Sequence, residues 1–347
     1  MNWQFNFRNY WVNKMKIIVV LFLSAFAISL FAKERPFSID HRIQLEGNEG
    51  WDCLTIDSFT NRLFITRGNH IDVIDLKTEQ LVGKITEHID GAHGVAFVHA
   101  LNKGYATSGK SSKVIVFDLG TLKNIKEINV GKKPDIIMYD DFSSRVFSFN
   151  ADDNSVSVID PQNDTILKTI KLESNPEFAV TDGKGVIYVN LEDKSLMASI
   201  DAKDLVVKKT WPIKGCNEPT GLAIDSKSKT LFSACANEVM AVTDIASGNV
   251  VKHLKIAKKP DGAAFDNGLA FSSNGSGTLS IFKEHSNGVF EALQELETQK
   301  GSRTMAVDPN SHNIYLVAAK YEVSDAKAPQ TRPKILPGSV ELLVIKK

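Results

Sequence analysis

Only three cysteines occur in 347 residues, Cys53, Cys216 and Cys235. Their odd number and spacing match no zinc or redox motif, so disulfides are not the framework of the fold. Cys216 and Cys235 fall in one repeat and could bridge in an oxidising compartment, but the preferred reading is buried strand thiols. Neither sign of charge is in excess: 41 basic residues meet 41 acidic ones. No global field therefore draws the chain to nucleic acid or anionic lipid. Apolar i, i+3, i+4 spacing is nowhere sustained long enough for paired helices, which excludes a helical solenoid. Enzyme signatures are scarce as well. The chain has no G-x-S-x-G elbow, no H-E-x-x-H and no G-x-G-x-x-G, and is read as having no P-loop.

The longest apolar run, Ile17 to Phe31, is interrupted by Ser24 and Ser29 and is short of the ~20 residues of a membrane-spanning helix. Lys14 and Lys16 precede it and Leu30-Phe31-Ala32 ends it, the order of an export signal. Residues 1–32 are expected to be a signal peptide and 33–347 the mature domain, periplasmic or secreted, with no stable membrane span after cleavage. Met15 begins a better-formed signal than Met1 does.

What the chain does have is a repeat. An apolar strand start, an acidic turn and an aromatic strand recur with the strand-ending position at Asp57, Val98, Asp140, Asp182, Asp225, Asp266 and Asp308, at steps of 41 to 43 residues. Aromatic second strands centre on Phe64, Tyr105, Phe147, Tyr188, Phe232, Phe271 and Tyr315. Third strands alternate and end in Asp, as in Val73-Ile74-Asp75 and Val158-Ile159-Asp160, and polar fourth strands suit a wet outer edge. Four antiparallel strands per repeat is the grammar of a propeller blade. The expected fold is all-β, a seven-bladed β-propeller of four-stranded blades. The C-terminus lacks a fourth strand for blade 7, and Arg42 to Leu45 has the character to supply it and close the ring. An insertion, Lys320 to Ser339, interrupts blade 7 and is read as a partial lid.

The Pro-Asp or Pro-Glu pairs before inner strands (Pro134-Asp135, Pro176-Glu177, Pro260-Asp261), the aromatic second strand and the V-I-D third strand resemble the YVTN-repeat, YncE-like family of bacterial propellers. No copy reads YVTN outright, and Tyr188-Val189-Asn190 comes nearest. The resemblance implies seven blades and an exported address, but its members share no single activity.

Five residues before each strand end stand Asp52, His93, Asp135, Glu177, Thr220, Asp261 and Arg303. That position opens each innermost strand, so one side chain per blade is expected at the mouth of the central channel. Two roles compete for the ring: carboxylates that accept backbone N–H groups and brace the blades, or a ligand site. In the second role Arg303 would neutralise Asp52 and Asp261, while Asp52, His93, Asp135 and Glu177 would hold a divalent metal or a cationic ligand. Trp51 beside the ring is read as a packed plug. Lys132, Lys133, Lys214, Lys258, Lys259 and Lys300 enter the same face and are read as solvated. Loop residues 150–154 and 190–193 are read as turn formers first and oxygen ligands second.

The sequence thus reads as a monomeric binding or scaffold module for a small ligand, a metal or a protein partner, with no residue assigned a catalytic role. The alternatives are a metal-assisted, lactonase-like hydrolase or a quinoprotein-like enzyme, and, more weakly, nucleic-acid or polyanion binding through the lysines.

Overall fold

The computed structural model describes residues 36–285, 288–322 and 334–347. The signal segment lies outside the described residues, as does the centre of the insertion, 323–333. Pro36–Lys347 is one compact unit. Among the described residues no helix is long and apolar enough to cross a membrane.

Seven four-stranded antiparallel sheets follow one another along the chain. Blade 1 is β2 to β5 (Leu54–Asp57, Arg62–Arg67, His70–Asp75, Gln80–Ile85), and blade 2 is β6 to β9 (Ala92–Val98, Lys103–Ser108, Lys113–Asp118, Asn124–Asn129). Blade 3 is β10 to β13 (Pro134–Asp140, Arg145–Asn150, Ser155–Asp160, Thr165–Lys171), and blade 4 is β14 to β17 (Pro176–Thr181, Val186–Leu191, Leu196–Asp201, Val206–Pro212). Blade 5 is β18 to β21 (Pro219–Asp225, Thr230–Cys235, Val239–Asp244, Val250–Lys255), and blade 6 is β22 to β25 (Pro260–Asp266, Leu269–Asn274, Thr278–His285, Val289–Glu297). In blade 7, β26 (Met305–Val307), β27 (Ile314–Ala318) and β28 (Glu341–Lys346) are completed by β1 (Ser38–Gln44), which pairs antiparallel with β28 from Ser38 opposite Lys346 to Gln44 opposite Glu341. The N-terminal strand therefore closes the ring, as the missing fourth strand requires.

Local chemistry explains the repeat. The Asp that ends a third strand caps the next turn: Asp75 accepts from the Lys77 and Thr78 amides at 2.9 and 2.7 Å, and Asp201 from those of Lys203 and Asp204 at 3.0 and 2.9 Å. Each such turn closes on a left-handed residue: Glu79, Leu122, Asp164, Leu205 and Gly248. The aromatic second strand fills the gap between neighbouring sheets. Phe147 is fully buried and packs with Val158 against Ile187 and Ile200 of blade 4, so that its replacement by Ala costs about 3–5 kcal/mol.

Three readings are corrected. Cys216 and Cys235 are joined as a disulfide rather than left as thiols, because the loop after β17 stacks on the end of β19 and brings their Cα atoms to 5.4 Å. Gly104 to Ser111 does spell G-x-x-x-x-G-K-S, but the string is strand β7 and its turn into β8 with no helix following, so it builds no phosphate cradle. Trp51 is not a channel plug: it is buried between blades 7 and 1 with Leu45, Leu54 and Val340.

Candidate functional site: the hub ring

Each ring residue sits at or just before the start of an innermost strand, where the chain comes in from the neighbouring blade. The structure brings five of the seven into direct contact. The His93 Nδ1 bonds the Asp52 carboxylate and lies 3.5 Å from Asp135 Oδ1. Arg303 spans the seam, with Nη2 3.1 Å from Asp52 Oδ1 and Nε 2.9 Å from Asp261 Oδ2. Asp135 retains 13% of its side-chain exposure, so the ring is narrow yet open to solvent.

Bracing of the blades is real, but among the described residues the ring carboxylates perform it through Arg303 and His93 and not by accepting backbone amides. The ring residues' backbone carbonyls accept from the preceding blade: Thr107 Oγ1 donates to the Asp135 carbonyl at 2.7 Å, Asn190 Nδ2 to that of Thr220 at 2.9 Å, and Thr304 Oγ1 to that of Asp52. Ser273 Oγ serves the Arg303 carbonyl in the same way. The side chains are thereby released toward the channel. Thr220 is the exception, because its short hydroxyl turns back to the Ala234 and Pro260 carbonyls at 3.4 and 3.3 Å.

Electrostatics divide the ring. Burial pushes the Asp261 carboxyl up to about 7 even though Arg303 pulls it down. Burial, with Asp135, Glu192 and Asp261 nearby, pushes Glu177 up to about 9. Asp135 is likewise raised by burial, against the lowering pull of His93. Burial alone would lower His93, but the Asp52 hydrogen bond and the charges of Asp135 and Asp52 raise it. Cys53 lies behind the ring; burial and the surrounding carboxylates hold its thiol neutral.

Glu192 belongs to this site although its loop reads as a turn former. It makes the turn, its carbonyl accepting from the Ser195 amide at 2.9 Å, while its carboxylate accepts from Asn175 Nδ2 at 3.0 Å and charges the neighbourhood of Glu177. Loop 150–154 is a turn in fact: Asn154 is left-handed, and Asp153 accepts the Lys132 amide at 2.7 Å. The six rim lysines are exposed. At the base of the insertion Tyr321 pairs antiparallel with Ile335, and Tyr321 lies close enough to Arg303 to feel its charge.

Among the described residues, Asp52, His93 and Asp135 form a set fit for a metal ion, one ligand atom from each lying within 4.8 Å of the others. Glu177 is not in that set. A nitrogen and two carboxylate oxygens suit a first-row dication better than calcium or magnesium.

A family model described as a domain of unknown function, DUF5074, matches residues 53–267. The chain belongs to this family. No curated protein matches it. Among solved structures it is similar to Kuenenia stuttgartiensis hydrazine synthase, with a TM-score of 0.64 at 15% identity, over 79% of this chain and 94% of that one. At that identity the likeness speaks for the fold alone.

Proposed function

We propose that this protein is an exported β-propeller binding module whose hub takes a divalent transition-metal cation on Asp52, His93 and Asp135. The carrying observation is the convergence of these three donors from three successive blades. The carbonyl braces at Asp52 and Asp135 fix the backbone of two of the three donors independently of their side chains, so those donors are preorganised. Glu192 adds negative potential nearby, on the side of Glu177. Export is supported by the basic and apolar N-terminal segment and by the Cys216–Cys235 disulfide, which suits an oxidising compartment. Repeat chemistry like that of YVTN propellers agrees with such an address.

Three protein ligands leave a coordination position facing the channel, which favours a second reading in which the metal activates water for ester or lactone hydrolysis. Zinc titration of metal-stripped protein tests the first reading: one equivalent binds the parent, and His93→Ala weakens it at least about 100-fold. Lactone turnover by the zinc form, lost in the same variant, supports the second. Absence of zinc binding removes both.

A further inference from the structure

Away from the hub, at the opposite ends of the inner strands, basic side chains fasten each early blade to the next. Arg62 Nη1 donates to the Leu119 carbonyl at 2.9 Å, and Arg145 Nη1 to those of Ala202 and Lys203 at 2.9 and 2.8 Å. Between blades 2 and 3 the fastening is most complete. Lys103 Nζ reaches Asp164 Oδ2 at 2.8 Å and the Pro161 carbonyl at 3.0 Å, while Tyr105 Oη donates to Asp164 Oδ1 at 2.6 Å. A buried carboxylate is thus held by one phenol and one ammonium.

Two blades further on, between blades 4 and 5, the tyrosine is kept and the rest is gone. Tyr188 matches Tyr105, but Val186 stands in the place of Lys103 and Gly248 in the place of Asp164, at the same left-handed turn position. A cleft of about 300 Å³ occupies the vacated space, lined by Tyr188, Ile224, Ile245, Lys184 and Lys229. Tyr188 is 6% exposed, and its hydroxyl has no hydrogen-bond partner among the described residues. Close by, Trp211 Nε1 is buried without a partner, 3.3 Å from where a Cβ on Gly248 would stand. Asp182 lines the cleft too, its Oδ1 held by the Lys184 and Val186 amides at 2.8 and 2.9 Å and its charge felt by Tyr188, so two lysines face one carboxylate.

We infer that this inter-blade cleft is a second binding site, for a small organic carboxylate with an apolar body. Its carboxylate takes the place that Asp164 fills between blades 2 and 3. Tyr188 Oη donates one hydrogen bond, Lys184 and Lys229 supply the charge, and Ile224 and Ile245 receive the apolar part. Cleft size and mixed lining fit a ligand of this class, and a phenol hydroxyl without a protein partner inside the cleft is a donor that such a ligand can use.

Benzoate tests the assignment, with benzamide as the uncharged control, followed by calorimetry or by amide shifts of Tyr188 and Ile245. Saturable benzoate binding at about millimolar affinity is expected, with benzamide at least about tenfold weaker. Tyr188→Phe should weaken benzoate about tenfold without lowering the melting temperature, since no protein hydrogen bond is lost. Gly248→Asp should abolish binding by supplying the missing carboxylate internally. Should that variant not fold, the exposed pair Lys184→Ala, Lys229→Ala must weaken benzoate instead. No saturable binding, or binding indifferent to Tyr188→Phe and to the lysine pair, overturns the site.

Discussion

The two arcs of the hub use the same position of the repeat in opposite ways. On one arc Arg303 lies between Asp52 and Asp261 with two close ion pairs, and the carboxylates are neutralised by a side chain of the protein. On the other, Asp135, Glu177 and Glu192 face one another with no guanidinium among them, and the nearest compensation is His93. Glu177 there is compensated by a retained proton, its carboxyl pushed up to about 9 by burial and by its neighbours, and burial raises Asp135 as well. The lesson is that, under the proposed reading, affinity for an external cation would reside where internal compensation ends. The Asp52–His93–Asp135 set marks that boundary.

Among substitutions at and around the hub, the largest expected effect on stability comes from cutting the covalent tie beside Thr220. Replacing Cys216 and Cys235 together by Ser removes a bridge over a sequence separation of 19 and should cost about 3 kcal/mol in chemical denaturation. Because the bridge ties the end of blade 4 to blade 5, whereas the three donors come from blades 1 to 3, zinc affinity should change little. Arg303→Ala comes next. It leaves Asp52 and Asp261 uncompensated, and because Arg303 is 39% exposed the loss should be about 1–2 kcal/mol. The same variant extends the uncompensated arc, so it should bind zinc more tightly if the comparison is sound.

A third test is stability against pH. Glu177 and Asp261 have folded values of about 9 and about 7, above the ordinary carboxylate range. The folded state therefore binds more protons than the unfolded one in that window. Their contribution is fully present below about pH 4 and is lost progressively as pH rises toward 9. Denaturation midpoints should fall over that range, and Glu177→Gln should flatten the slope; an unchanged slope would show that the arc carries no resident proton. The smallest effect is expected from Gly109→Ala. A Cβ there would come within 2.9 Å of His93 Cδ2 and 3.0 Å of Nε2, so the imidazole must shift and zinc affinity should fall a few-fold with little change in stability.

Much of this was legible in the sequence because it is set locally and repeated. The Asp that ends a third strand caps its own turn within three residues, so V-I-D marks a strand end wherever it falls. The ring was legible because a constant period puts constant registers at one radius. Thr220 shows the limit of that logic: it shares the register, but its hydroxyl is too short to pass the backbone and satisfies itself on carbonyls. Glu192 was harder to find because it enters from the loop between second and third strands, outside the register that aligns the others. The Cys216–Cys235 disulfide was the less favoured of two readings, because the proximity of the two residues exists only once the inter-blade loop stacks on β19. The cleft between blades 4 and 5 is written in the sequence as Val186 and Gly248, but only a structure shows that the residues they replace work together across two blades.

The most direct test is a zinc isotherm of metal-stripped protein beside that of His93→Ala, run at two pH values. One equivalent bound by the parent, tighter at the higher pH as protons leave the donors, and lost in the variant, is the expected result. Equal isotherms for the two proteins, or no saturable binding by either, would contradict a cation site at the hub.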